Sequence, residues 1–336
     1  MKVCIAVLSI CTACSLAVGA ESKPLAAAKK CEEQPYRGID SRLKPDLLGV
    51  VPNLKETIVG FELVNHLPVI ALHDQLLDIG QKNIARLTVP DFVRGISVDK
   101  QGGLLIQTDH AIKTIGHSSL QTNAGLTDII KGRLYDSGNL LFLEGRSRES
   151  IVQFIARNRS GQGFLIGSFN GPFSAASWNT VGLAVVVGDS LYGWQAGGRE
   201  IVRLLTDRGL RSAKDVVLVG PARAIVTLKS TVLLVTPQTV LVIAGMSSAR
   251  SRFDGAVLSL LDSKTGLIWS LKGLDQLGSK TGDRLHAIDL LKTVSTPIDE
   301  SSAQFLEAAR ILGCDGARRE VANRASRITA SGEGKH

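Results

Sequence analysis

The chain has 336 residues, 44% of them hydrophobic and only 4% aromatic, with a formal net charge of +8. That length supports one large domain with a substantial core, without invoking a second. No stretch beyond the first twenty residues has the length and apolar purity of a membrane span. The basic residues are dispersed without interleaved aromatics, apart from a mild cluster at Arg318, Arg319, Arg324 and Arg327, so they do not describe a nucleic-acid-binding face.

Residues 1–20 read as a secretory signal. Lys2 supplies the positive start, residues 3–16 a mostly apolar run, and Val18 and Ala20 the small residues before a cleavage site. Cys11 and Cys14 fit a lipoprotein site poorly, so cleavage after Ala20 is expected, which places the mature protein in the periplasm or outside the cell. Cys31 and Cys314 then remain, one on either side of everything else. In an oxidising compartment they are expected to form a disulfide between the two ends of the fold, the alternative being two free buried thiols. Closing so long a loop would contribute about 4–5 kcal/mol, less any strain.

Residues 21–56 are rich in Ala, Lys, Glu and Pro with little periodicity, and read as an extended leader anchored at Cys31. From residue 57 to 278 the signals are those of strands. Six strand–turn–strand copies start at Leu76, Leu104, Leu140, Ser190, Val232 and Leu267, on average about 38 residues apart. The 50 residues between the third and fourth starts leave room for an extra unit. Gly, Asn and Asp recur at the hairpin turns, among them Gly188-Asp189 and residues 262–266, because they tolerate positive φ. Near-continuous apolar runs at 216–219 and 232–235 suit strands covered on both faces.

After the strands, residues 299–301 can cap a helix over 302–312 that Gly313 stops, with Phe305, Leu306, Ala309 and Leu312 on its apolar side. The resulting division is a signal (1–20), a leader (21–56), a strand domain (57–298), a helical segment (299–325) and a disordered tail (326–336). The expected fold is all-β: a six-bladed β-propeller, with five or seven blades still open, and a short C-terminal helix.

Two hairpins carry a family resemblance. The segment LLDSKTGLIWSL is similar to the Asp-x-x-Thr-Gly-x-x-x-Trp hairpin of pyrroloquinoline-quinone-type repeats, through Asp262, Thr265, Gly266 and Trp269. GISVDKQGGLLIQT looks like an NHL-type blade hairpin, through Asp99 and Gly102. Both families are β-propellers, so the resemblance implies the fold. It covers only these two hairpins and carries no quinone with it, so no cofactor is expected.

Candidate chemistry is sparse. Gly245-x-Ser247-x-Ala249 resembles a nucleophile elbow, but strand-like sequence follows where the elbow needs a helix. Residues 273–281 miss a phosphate loop by one inserted residue and are read as a loop leaving the last blade. His66, His73, His110 and His117 lie among Asp74, Asp78, Asp99 and Asp109, yet no pair has ligand spacing, so no metal residue is assigned. Trp194, beside a Gly-rich turn, either tops a binding surface or packs between blades, as Trp178 and Trp269 do.

The expected function is therefore a non-catalytic protein-binding or scaffolding module, of the immunity, inhibitor or envelope-assembly kind. Its candidate contacts lie in the turns of the repeats: Asp109, His110, Arg146, Arg148, Trp194, Arg199 and Gln238. Their basic content suits a partner with an acidic surface. The alternative is a propeller hydrolase or lactonase with a divalent cation at the central channel, resting on the His and Asp residues of the first two repeats.

Overall fold

In a computed structural model of the protein, the described residues are 38–51, 57–64, 67–79, 84–98, 103–108, 111–115, 120–125, 140–148, 151–158, 163–179, 181–195, 198, 200–246, 249–295 and 298–332. The expected export signal, most of the expected leader and the last four residues lie outside them.

The described strands form six antiparallel sheets. The first holds β2 (Gly60–Val64), β3 (Leu67–Ala71), β4 (Gln75–Ile79) and β5 (Ile84–Thr88). The second holds β6 (Val93–Val98), β7 (Leu104–Thr108), β8 (Ala111–Ile115) and β9 (Leu120–Gly125). Three strands make the third: β10 (Leu140–Arg148), β11 (Ile151–Asn158) and β12 (Gly163–Asn170). In the fourth are β13 (Phe173–Trp178), β14 (Gly182–Val187), β15 (Ser190–Gln195) and β16 (Val202–Thr206). The fifth contains β17 (Asp215–Gly220), β18 (Arg223–Thr227), β19 (Val232–Val235) and β20 (Val240–Ala244). The sixth joins β21 (Arg250–Phe253), β22 (Leu258–Leu261) and β23 (Leu267–Lys272) to the N-terminal strand β1 (Lys44–Val50).

The core follows from the apolar runs. All six residues of β14 are buried, because neighbouring sheets cover both of its faces. Each junction has its own apolar cluster. Phe154, Phe169 and Trp178 sit between the third and fourth sheets, and Ala184, Leu191, Val216 and Leu218 between the fourth and fifth. Ile225, Leu234, Leu258 and Leu260 join the fifth to the sixth; Phe61, Ile70, Leu261 and Ile268 join the sixth to the first. Ala71, Val93, Ile96 and Ile106 seal the first against the second. The first strands β13, β17, β21, β2 and β6 contact one another in that order and form the inner wall. This is a β-propeller. The chain between β9 and β10 lies outside the described residues, so these strands do not by themselves close a ring of six blades.

Five of the repeats map onto hairpins, at differing positions in their sheets: β4–β5, β15–β16 and β19–β20 are third and fourth strands, β7–β8 second and third, and β10–β11 the first two described strands of the third sheet. Those differing positions explain the uneven spacing. The long interval between the third and fourth copies is filled by β12, β13 and β14, which complete the third sheet and begin the fourth. In the sixth copy only β23 is a strand, and the chain then turns through a short 3-10 helix, Leu274–Gln276. The missing outer strand is β1, with Leu47 opposite Trp269 and Val50 opposite Leu267. The expected leader boundary at residue 56 is therefore displaced. Its sequence, KPDLLGV, lacks alternation because an outer edge strand buries little and is held by backbone pairing.

Among the described residues, three helices stand where one was expected: α1 (Lys280–Leu291), α2 (Ala303–Leu312) and α3 (Cys314–Gly332). Helix α2 has the caps read from sequence, since Ser302 Oγ accepts the Phe305 N–H and Gly313 follows at φ 75°. Helix α1 lies inside the segment assigned to the strand domain, and α3 runs past residue 325 into the expected tail. Both bury few apolar positions, Ala287 and Leu291 in one and Ala317 and Val321 in the other. They are stabilised by docking on Phe305 and Ala308 of α2. Among the described residues, no helix is long and apolar enough to cross a membrane.

Candidate binding site

The inner wall is tied together by arginines at the start of β21. Arg252 is 6% exposed; its Nε donates to Glu62 Oε1 at 2.6 Å, and its Nη1 lies 3.3 Å from Asp215 Oδ2. The Ser251 N–H donates to the same Asp215 oxygen at 2.9 Å. Thus β2, β17 and β21 share one buried ionic link, and Asp215, 2% exposed, is committed to it.

Two residues earlier along the strand, Arg250 points its guanidinium at backbone instead. Nη1 donates to the Lys214 carbonyl at 2.9 Å and Nη2 to the Ile58 carbonyl at 3.0 Å. Carbonyls orient a guanidinium without neutralising it. Arg250 and Lys214 border a pocket of about 460 Å³ at the inner strands, lined also by His73, Arg94, Gln107 and Ser174. The His73 ring stacks on Phe92 at 4.2 Å, and the Arg94 guanidinium sits 4.7 Å from the same ring. Of the described lining residues, Arg94, Lys214 and Arg250 are cationic, and Asp215 is the carboxylate already paired with Arg252. The wall is therefore electropositive.

Among the described residues, potential metal ligands converge at Asp40, His286 and Glu307. That cluster is an ion-pair network. Asp40 is fully buried and accepts from Arg42 Nε at 3.0 Å, Arg42 Nη2 at 2.8 Å and Arg310 Nη2 at 2.5 Å. Arg42 Nη1 donates onward to Asp283 Oδ1 at 2.6 Å, and Glu307 Oε1 accepts the Ser41 N–H at 2.8 Å. With its oxygens saturated by guanidinium donors, Asp40 fastens α1 and α2 to the propeller and has no lone pair to spare for a cation.

The described residues among those singled out from sequence are spread over the third, fourth and fifth sheets. Trp194 is 7% exposed, stacks on Trp178 at 5.0 Å and donates its indole N–H to the Gly198 carbonyl at 3.0 Å. It packs between sheets rather than topping a surface. Arg146 and Arg148 fall within β10, opposite Gln153 and Ile151, not in its turn. Gln238 is exposed at the β19–β20 turn, beside a second pocket bordered by Lys280, Arg284 and Arg319. Asp109, His110, Arg199 and Ser247 lie outside the described residues, and the next strand after Ser247 is β21, not a helix. The loop at 273–281 does enter a helix, α1, but the Gly278 N–H faces Asp283 Oδ1 of that helix at 3.4 Å rather than an open cradle.

Arg94, Lys214 and Arg250 were not singled out. Their signal is positional: Arg94 and Arg250 stand at the beginning of the first strand of their sheets, and Lys214 immediately precedes the first strand of its own. Aligning the repeats on first strands rather than third would have placed them together.

No known family profile matches the sequence, and no curated protein is significantly similar to it. Solved structures are similar in fold. A protein named provisionally as a gluconolactonase superposes with a TM-score of 0.50 at 11% identity, over 70% of this chain and 93% of that one. A gluconolactonase from Xanthomonas campestris gives 0.47 at 12% identity, over 71% and 97%. An auxiliary nutrient-binding protein from Bacteroides thetaiotaomicron gives 0.49 at 9%, over 68% and 76%. At such identities the likeness is one of fold, and the fold is the β-propeller.

Proposed function

We propose that the protein is an exported, non-catalytic binding module built on a six-bladed propeller, which receives an acidic partner at its electropositive inner pocket. One observation carries the reading: the pocket wall presents Lys214 and a carbonyl-held Arg250, while its described carboxylate, Asp215, is spent on Arg252 and Ser251. A propeller hydrolase with a divalent cation needs converging carboxylate or imidazole ligands at this place, and a cationic wall repels such an ion. Purified protein is expected to bind no stoichiometric divalent ion and to leave simple lactones intact. One tightly held ion whose chelation abolishes lactone hydrolysis would overturn the reading in favour of the enzyme.

Export rests on the charged start, apolar run and small residues of positions 1–20. The six-bladed ring is supported by the six sheets and by the N-terminal strand completing the last of them. A disulfide between Cys31 and Cys314 would clasp that closure. Supporting it, Cys314 is half-buried against the helical cluster, its sulfur is engaged rather than free, and no other cysteine is among the described residues. Changing either cysteine to serine should lower the melting temperature in non-reducing buffer, by the equivalent of up to about 4 kcal/mol. Reductant should lower that of the parent alone. Alkylation of both thiols in natively purified, unreduced protein would remove the clasp.

A further inference from the structure

Resting on that reading, the geometry points to something narrower: the inner pocket is an oxyanion site, for a carboxylate or phosphate group, with Lys214 and Arg250 as its charged donors. Lys214 is exposed at the pocket and has no side-chain partner among the described residues. Arg250 is held by the carbonyls of Lys214 and Ile58, which belong to the approach to β17 and the approach to β2. Those two bonds use only part of the guanidinium's donor set and fix its plane, so a ligand oxygen meets a donor whose conformational freedom is already lost.

An independent observation comes from Gln107. Its side chain is 4% exposed, lines this pocket, and has no hydrogen-bond partner among the described residues. Its amide opens to the pocket rather than being sealed in the core, so its N–H₂ is available to a ligand oxygen as a donor. An oxyanion accepting from the amide N–H₂ and from Lys214 and Arg250 satisfies all three. The volume, about 460 Å³, suits a small organic acid or one acidic side chain, not a folded segment.

The oxyanion has two possible sources, a free small acid or the acidic side chain of a protein partner. The test uses calorimetry on the full mature chain with three probes: citrate, inorganic phosphate and a tetraglutamate peptide. At least one is expected to bind, and Lys214→Glu to weaken it about tenfold or more while leaving the melting temperature unchanged. Lys214→Arg should retain binding, Gln107→Leu should lose severalfold, and raised salt should weaken it. Should Lys214→Glu fold poorly, Lys214→Gln serves, with a smaller loss. Citrate or phosphate binding identifies a free acid as the source; tetraglutamate binding alone identifies a partner's side chains. Failure of all three probes to bind, or equal binding by the Lys214 variants, overturns the oxyanion site. The non-catalytic character of the module is decided separately, by the metal and lactone measurements.

Discussion

Replacing Asp40 with alanine is expected to destabilise the protein by about 3–5 kcal/mol, the largest effect of any single polar substitution named here. Asp40 is fully buried and is the shared acceptor of Arg42 and Arg310, whose side chains are 11% and 3% exposed. Without it, Arg310 keeps the Val242 carbonyl and a longer ion pair with Glu307 at 3.8 Å, and Arg42 keeps Asp283, but both lose their shared, fully buried carboxylate. Removing one partner of a buried pair leaves the other charge uncompensated, and that penalty exceeds the net worth of the pair when intact. Hydrogen exchange should show α1 and α2 loosening first, because this network and the α2 contacts with β20 hold them to the propeller. A loss below 1 kcal/mol would mean that water reaches the arginines, contrary to this account.

The same carboxyl sets a pH signature. Burial alone would raise its pKa, but the hydrogen bonds from Arg42 and the charge of Arg310 outweigh burial and hold it below its ordinary 3.8. A carboxyl depressed in the folded state contributes stability that is complete above its unfolded value and is lost as pH falls through the folded one. Acid unfolding should therefore separate the parent from Asp40→Asn at neutral pH, with the two stability curves converging well below pH 3.8.

Gly266→Ala is expected to cost about 3 kcal/mol or more and to release the N-terminal strand. Gly266 sits at φ 73°, and a Cβ there would stand 2.1 Å from the Val51 carbonyl oxygen. The Val51 N–H donates to the Gly266 carbonyl at 2.9 Å, so this turn is where the end of β1 is fastened. An alanine brings both the left-handed backbone penalty, about 1–2 kcal/mol, and a backbone clash that only displacement of residue 51 relieves. Gly255, at φ 103° with nothing within 4 Å of the same position, supplies the control. Gly255→Ala should carry the conformational penalty alone. Amides of β1 should lose protection in the Gly266 variant and keep it in the Gly255 variant. Equal losses in both would refute the steric part.

Much of the fold was legible because a hairpin is a local object. The strand pairs β4–β5, β15–β16, β19–β20 and β22–β23 each carry apolar runs on either side of a short turn. Helix α2 announces itself through Ser302 and Gly313, whose capping chemistry acts within one turn of chain. Where the sequence left a choice open, the determinant was remote. Trp194 could be read as a surface or a packed residue, because the Gly-rich turn beside it is visible in one dimension while Trp178, which covers it, is not identifiable as its neighbour.

By itself, then, the sequence determined the class of the fold, the hairpin units and the capped helix, since all depend on interactions within a few residues. Only the tertiary structure decided that Lys44–Val50 is a strand, because its identity comes from hydrogen bonds to β23 at the far end of the chain. Only it decided that α1 and α3 are helices, because their few buried apolar positions gain stability from α2 rather than from their own periodicity. The candidate site is of the same kind. Arg94, Gln107, Lys214 and Arg250 come from the second, fifth and sixth sheets, one or two residues from each. Their convergence exists only once the inner strands have packed side by side and the like charges face a common space.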